Sequence, residues 1–454
     1  ETPTEASGDA ALTLLKEPKV EVLSKLQVLK IFNAGLTELP TSLWNCRELR
    51  QLDVGGNPLG DAFPAAAVAA HLQNLEILFA SKMGMTELPK LFDCPKLRML
   101  GIKDNQLRTL DGNLLPETME WLIAAGNQIS SLPNLGRLKR VRKLMLSHNQ
   151  LTCDTLAPVA DIDALEMLRV AANRLEAFPE ALLSHKCLAW VALGANPMAE
   201  DALSRHLAAG FQSLNFKEVE MGEKLGSGAG ATVYQGQWHG RTVAVKLWDA
   251  ETFSDGTALS EWAANRVASQ PGHEALVQVL GTFEDPRGMV LELLQNAKAA
   301  ANPPSFATVT RDALPRHGAP GVLYTVSAAR QIALRVSAAA EYLHSKGLMH
   351  GDIYLHNTLV IHENASSSAA GTAVRDVRLS DFGACAAVDL PELRRLEVRS
   401  FGWLLQDLLE CQTEPENEED EKSFELMKAL RARCAAEDPR QLPSFTALRL
   451  KLAA

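Results

Sequence analysis

The sequence predicts two architectures in series: an α/β solenoid of short parallel strands, followed by an α+β fold. Three observations predict this. A frame of apolar residues recurs eight times from residue 26 to about residue 215. At about residue 216 that frame stops, and strand-like alternation then gives way to helical periodicity at 328–344. At 454 residues the chain is also about three times the usual domain size, long enough for each part to bury its own core.

The frame reads L-x-x-L-x-L-x-x-N-x-L and starts at Leu26, Leu49, Leu75, Leu97, Met119, Val141, Leu165 and Leu188, a period of 22 to 26 residues. Alternate apolar residues of a short strand, such as Leu144 and Leu146, enter the core. Asn57, Asn105, Asn127, Asn149, Asn173 and Asn196 are placed to bond backbone groups at the turn that follows. Ala34 and Met83 fill that slot in two frames, where a weaker ladder or an irregular turn is expected. Leu39-Pro40, Leu88-Pro89, Leu132-Pro133 and Phe178-Pro179 start the return segments. The pattern resembles the leucine-rich repeat family. That resemblance implies stacked units that cannot fold alone and one exposed concave strand face.

On that face the position before the second frame leucine carries Val28, Gln51, Ile77, Met99, Trp121, Lys143, Met167 and Trp190. Such a column either stacks along neighbouring strands and against the other part of the chain, or binds a protein. The second reading is the expectation, with a partner held by Trp121 and Trp190 together with Met99 and Met167. Residues 1–25 read as a polar tail and cap, 26–215 as the repeats with a helical cap at 201–211, and 216–454 as the second fold.

In the second fold the run L-M-H-G-D-I-Y-L-H-N contains His350, Asp352 and Asn357, and L-S-D-F-G follows with Asp381. An aspartate five residues before an asparagine can offer a carboxylate to a substrate hydroxyl and an amide oxygen to a metal. Asp381 adds the main metal-binding carboxylate. Upstream, E-K-L-G-S-G-A-G-A-T-V-Y places Gly226 and Gly228 where backbone amides can approach phosphates, and Val233 where it would cover a base. V-A-V-K ends on Lys246, after Ala244, as a phosphate-neutralising strand lysine; Glu261 is the best carboxylate to hold it, with Glu251 and Glu274 as weaker alternatives.

Residues 217–453 thus resemble the protein kinase superfamily, nearest its tyrosine-kinase-like branch. With the repeats, the chain is similar to soluble microbial leucine-rich-repeat kinases. The resemblance implies a two-lobed fold, a small lobe at 216–294 and a large lobe at 295–454. It also implies ATP and Mg2+ as cofactors, Asp352 as catalytic residue, and Asn357 and Asp381 as metal ligands. Leu291 falls at the gatekeeper, and Glu292 and Leu294 would bond adenine through their backbones. Residues 296–321 read as a mobile loop, 363–373 as a flexible insertion and 414–421 as a solvated acidic loop.

The departures are specific. Only 13 residues lie between Gly383 and Glu397, leaving a shortened activation segment with no Ser, Thr or Tyr. Gly351 replaces the arginine of H-R-D, and Leu442 the arginine that pairs with an A-P-E glutamate. Leu390-Pro391-Glu392 mimics that motif too close to the next helix. Tyr354 stands where Ser/Thr kinases carry a lysine, so charge on the transferred phosphate is stabilised more weakly, or by His356 or a residue outside the motif. The expected function is an ATP- and Mg-dependent protein kinase of Ser/Thr type whose substrate or partner the repeats recruit. The alternatives are a pseudokinase scaffold and, from the H-G-D form, a small-molecule phosphotransferase of the aminoglycoside and choline kinase type.

A net charge of −10 argues against nucleic acid or an anionic membrane surface as main partner. Seven cysteines without metal or disulfide spacing suit a reducing compartment, so a cytoplasmic protein is expected. No apolar run is long enough to span a bilayer.

Overall fold

The computed structural model describes residues 4–206, 214–228, 230–363 and 371–454. Most of the 363–373 insertion and the end of the 201–211 cap lie outside the described residues. The chain divides into two compact units, Glu1–Leu182 and Leu183–Ala454. The boundary falls not at 215/216 but in the return segment of the seventh frame, before the eighth begins at Leu188, so the eighth frame belongs to the second unit.

The first unit is a parallel sheet of eight three-residue strands in chain order: β1 (Glu5–Ser7), β2 (Val28–Lys30), β3 (Gln51–Asp53), β4 (Ile77–Phe79), β5 (Met99–Gly101), β6 (Trp121–Ile123), β7 (Lys143–Met145) and β8 (Met167–Arg169). β1, and the helix α1 (Gly8–Lys16) after it, lie in the stretch expected to be tail and cap. β1 extends the sheet one rung before the first frame. The middle residue of each frame strand, from Leu29 to Leu168, is fully buried.

Each asparagine from Asn57 to Asn173 ties two rungs. Asn149 donates through Nδ2 to Ala124 O and Leu146 O at 3.0 Å, and its Oδ1 accepts from Ile129 N at 2.9 Å. In the frames lacking asparagine the ladder is weaker, since Ala34 and Met83 have no side-chain amide to tie the rung before, but the turn is regular. Asn57 Oδ1 accepts from Ala34 N and Leu36 N at 3.0 Å, and Asn105 Oδ1 accepts from Met83 N at 2.9 Å. Asn33 and Lys82 adopt the left-handed backbone also seen at Asp104, His148 and Ala172. The expected irregular turn is absent because the next frame's asparagine supplies the acceptor. Gly56 has the same conformation, and a Cβ there would land in the Asn33 side chain.

The second unit opens with β9 (Trp190–Ala192) and α2 (Pro197–His206). A five-stranded antiparallel sheet follows, in the order β10 (Val219–Ser227), β11 (Ala231–Trp238), β12 (Arg241–Trp248), β16 (Gly288–Glu292), β15 (Val279–Phe283). Between β12 and β15 lie a small hairpin, β13 (Thr252–Phe253) and β14 (Gly256–Thr257), and the helix α3 (Ala258–Ala268). The larger lobe holds α4 (Val326–Ser345), α5 (Pro391–Glu410), α6 (Glu418–Cys434) and α7 (Phe445–Ala453) around one apolar core, with Leu442 buried in it. Its short strands are β17 (Lys298–Ala299), β18 (Leu348–Met349), β19 (Thr358–His362), β20 (Val374–Leu379) and β21 (Ala386–Ala387).

Two loop expectations are corrected. The acidic run ends in the first turn of α6, where Asn417 caps the helix by accepting from Glu419 N and Asp420 N, and the acids favour the positive end of the helix dipole. Residues 296–321 are not a free loop. Val309, Thr310, Asp312 and Leu314 are buried there, and β17 pairs with β19.

Candidate active site

β12 alternates. Val243 and Val245 enter the small-lobe core, which turns Ala244, Lys246 and Trp248 to the cleft. The Lys246 ammonium pairs with Glu261 Oε1 on α3, and Trp248 Nε1 donates to Glu261 Oε2 at 2.8 Å. Both oxygens of this 3% exposed carboxylate therefore have donors, which an ion pair withdrawn from water requires. Burial pulls the Lys246 pKa down, but the charges of Glu261 and Asp381 outweigh it and hold the amine above its ordinary value. Glu251 pairs with Arg287 and Glu274 with Arg335, so neither takes the place of Glu261. Trp248 was missed in the sequence, although it lies two residues beyond Lys246 and so on the same strand face.

The opposite wall is pinned through its backbone. Glu397 on α5 accepts from Gly351 N at 2.6 Å, and its other oxygen meets His344 Nε2 at 2.8 Å. His350 Nε2 lies 3.1 Å from Ser380 O. Asn357 Nδ2 donates to Asp352 O and Asp352 Oδ2, both at 3.0 Å, which fixes the carboxylate. The register Thr358↔Leu379 of β19 and β20 sets Asn357 beside Ser380, whose N and Oγ donate to Asn357 O at 2.9 and 2.8 Å. Asp381 follows in a left-handed conformation at φ +61°, with its Oδ1 accepting from Gly383 N at 3.1 Å. Phe382 is buried with Ala263, Ala264 and Val267 of α3. The two walls are thereby locked to each other.

Between them lies a cleft of about 480 Å³ lined by Val233, Ala244, Leu291 and Leu294 at its apolar end and Lys246 and Asp381 at its polar end. Glu292 also lines it. A Cβ at Gly226 or Gly228 would meet nothing within 4 Å, and neither has a positive φ, so packing within the chain does not demand glycine there. A phosphate chain brought against the backbone would. The volume, the apolar end and this open strand edge fit an adenine nucleotide. Among the described residues no group of three or more His, Cys, Asp or Glu side chains could hold a metal. Asn357 and Asp381 supply the sparse donor set that suits magnesium, an ion usually held by one or two carboxylates plus substrate phosphates.

Three residues stand elsewhere than expected or were not foreseen. Tyr354 is 2% exposed, with its hydroxyl donating to Thr310 O at 2.9 Å, so it is turned away from the cleft. His356 Nδ1 meets the buried Asp312 Oδ1 at 2.6 Å. Burial opposes the imidazolium charge, but Asp312, with Asp352 and Asp381 beyond it, raises the pKa above the usual value. Asp312 also accepts from Leu355 N at 2.9 Å, and so holds the catalytic loop from a stretch whose Ala- and Pro-rich composition gave no such signal.

The partner-binding column is corrected. Met99 and Met167 are 2% exposed and Trp190 1%, which removes them from any free surface. Trp121 remains half-buried, with Lys143 Nζ 4.1 Å from its ring centre. Strands in one sheet are about 4.8 Å apart, so large side chains on successive rungs cover one another. For Trp190 the cover is the loop that carries Asp352. Its ring stacks on Tyr354 at 4.7 Å and 3°, and its Nε1 donates to Ile353 O at 3.2 Å.

A family profile described as Protein kinase domain matches residues 219–420. These residues form a protein kinase domain. Among curated proteins the chain is 27% identical to human Kinase suppressor of Ras 2 over 214 residues, 46% of this chain and 20% of that one. It is 26% identical to human Mitogen-activated protein kinase kinase kinase 7 over 278 residues, 52% and 41% of the two chains. It is 30% identical to human Podocan-like protein 1 over 229 residues, 48% and 43%. The chain thus spans less than half the length of each of these relatives. Among the described residues no helix is long and apolar enough to cross a membrane.

Proposed function

We propose that the kinase domain is an active ATP- and magnesium-dependent protein kinase of Ser/Thr type, and that the first unit is a leucine-rich repeat solenoid that recruits its protein substrate or partner. The observation that carries the catalytic reading is the joint placement of the Lys246–Glu261 pair, the Asp352–Asn357 pair and Asp381 around one cleft. Magnesium, when bound, supplies charge neutralisation on the phosphates. Lys246 binds phosphate oxygens from the small-lobe wall, held straight by Glu261 and Trp248. Val233, Ala244 and Leu291 enclose the base, and the glycine strand edge shields the phosphates from water. Asp352, oriented by Asn357, accepts the proton of an incoming hydroxyl. Asn357 and Asp381 are the residues that would hold the metal. The seven cysteines, none of them in a disulfide, support a cytoplasmic setting for this activity.

Tyr354, withdrawn from the cleft, favours a second reading in which the domain is a pseudokinase scaffold. Incubation of the purified chain with radiolabelled ATP, magnesium, casein and, separately, kanamycin distinguishes these. Label on casein that Asp352→Asn abolishes supports the protein kinase, whereas label on kanamycin alone supports a small-molecule phosphotransferase. The absence of label on either leaves the scaffold.

A further inference from the structure

The eighth frame was expected to close the repeats, yet it is built into the kinase unit. Trp190 of β9 stacks on Tyr354 and bonds Ile353 O, gripping the catalytic loop at the two residues after Asp352. Gly351, at φ +77°, has no room for a side chain, since a Cβ would lie 2.9 Å from Val191 O and 2.5 Å from Ala384 O. The space that an arginine would need there is filled by backbone of the frame at Val191 and of the segment after Asp381 at Ala384. Arg399 of α5 holds the frame's entry, donating to His185 O at 2.6 Å and Leu188 O at 3.1 Å while it also binds Ala436 O and Glu437 O.

The helix after the frame grips the other wall. Ala202 and Leu203 of α2 are buried in one cluster with Ala263, Ala264 and Val267 of α3 and with Phe382 and Cys385. Glu200 Oε1 accepts from Ala195 N and from Ser260 Oγ, both at 3.1 Å, and Ser260 N in turn is capped by Thr257 Oγ1 at 3.1 Å. An acidic side chain here also favours the amino end of α3. Arg205 pairs with Asp389, past β21. One short stretch thus touches the helix that carries Glu261, the loop that carries Asp352 and the segment after Asp381.

We propose that residues 183–206 are a positioning element of the kinase domain, in which Glu200 and Leu203 hold α3 so that Glu261 stays on Lys246, and Trp190 holds the catalytic loop, assembling the site without a phosphorylated activation segment. The catalytic part of this rests on the kinase reading; the conformational part does not. Without Glu200 and Leu203, α3 is free to swing out and the Lys246–Glu261 pair opens.

The test uses the full chain and three variants, Glu200→Ala, Glu200→Ala with Leu203→Ala, and the conservative Glu200→Gln, which keeps the accepting oxygen. Amide hydrogen exchange in α3 is read against α4 as an internal control, beside kcat and KM for ATP with casein as acceptor. We expect α3 exchange to rise about tenfold or more in the double variant and measurably in Glu200→Ala, with α4 unchanged. We also expect kcat to fall while KM for ATP moves little, and Glu200→Gln to restore both. Unchanged α3 exchange in Glu200→Ala and in the folded double variant overturns the proposal. Glu200→Ala, which removes no apolar contact with α3, decides alone if the double variant does not fold. A parent that labels no acceptor refutes the kinase reading, and the exchange measurement still decides this one.

Discussion

Lys246, Asp352, Asn357 and Asp381 were legible one by one because each belongs to a short motif whose spacing phosphoryl chemistry explains, whereas Glu261 was the best of three candidate carboxylates and is singled out by its pairing with Lys246. The nucleotide reading predicts that saturating Mg-ATP raises the melting temperature of the parent. At about 100 times Kd the gain is roughly 2.7 kcal/mol, or on the order of 5–10 °C for a unit of this size. Lys246→Ala and Asp381→Ala are expected to lose most of that shift, and an equal shift in both variants counts against the site. Trp190 was not legible. Its place in the frame is the same as that of Trp121, and a strand's outward position looks identical in sequence whether water or another element covers it. Asp312 was hidden for a different reason. Its partner His356 is 44 residues away, and no local pattern joins them. Because Trp190 is fully buried against Tyr354, Trp190→Ala is expected to cost about 3–5 kcal/mol in a urea melt of the second unit. A loss below about 1 kcal/mol would mean the stack is not maintained in solution.

At the scale of elements, the periodic strands were readable because each rung repeats one arrangement, and the two frames without asparagine keep its turn while losing the side-chain ties to the rung before. The strand Glu5–Ser7 escaped notice because its residues, Glu-Ala-Ser, carry no apolar alternation; it forms because the rung beside it offers unpaired backbone. The asparagine ladder makes a sharp prediction. Asn149→Ala leaves Ala124 O, Leu146 O and Ile129 N without that partner, and at about 1–3 kcal/mol for each buried polar group orphaned, stability should fall by roughly 3 kcal/mol or more. The segment after Asp381 shows the opposite economy. β21 pairs with β18, and α5 begins at once with Pro391 in its first turn, so Leu390-Pro391-Glu392 opens a helix instead of closing a docking segment. Glu392 is exposed there, and Glu392→Ala should change stability by no more than about 0.5 kcal/mol. A severe loss on thermal melting would assign the glutamate a partner.

At the scale of the molecule, the count of frames was readable but the division between units was not, because the eighth frame obeys the repeat pattern while packing with the kinase domain. The repeat reading therefore places recruitment on the first unit alone, with Trp121 as an aromatic of its strand face. Trp121→Ala is expected to weaken substrate capture, typically by about 2 kcal/mol for an anchor residue, without moving the Mg-ATP shift. Unaltered capture by a stable variant in a pull-down would remove Trp121 from that role. On the proposed function, the site is complete as folded and needs no phosphorylation. The most direct measurement is single-turnover phosphate transfer from Mg-ATP to casein by the full chain after exhaustive dephosphorylation. Transfer is expected at an undiminished rate that falls about 10²-fold or more in Asp352→Asn. A dephosphorylated parent no faster than that variant would contradict it.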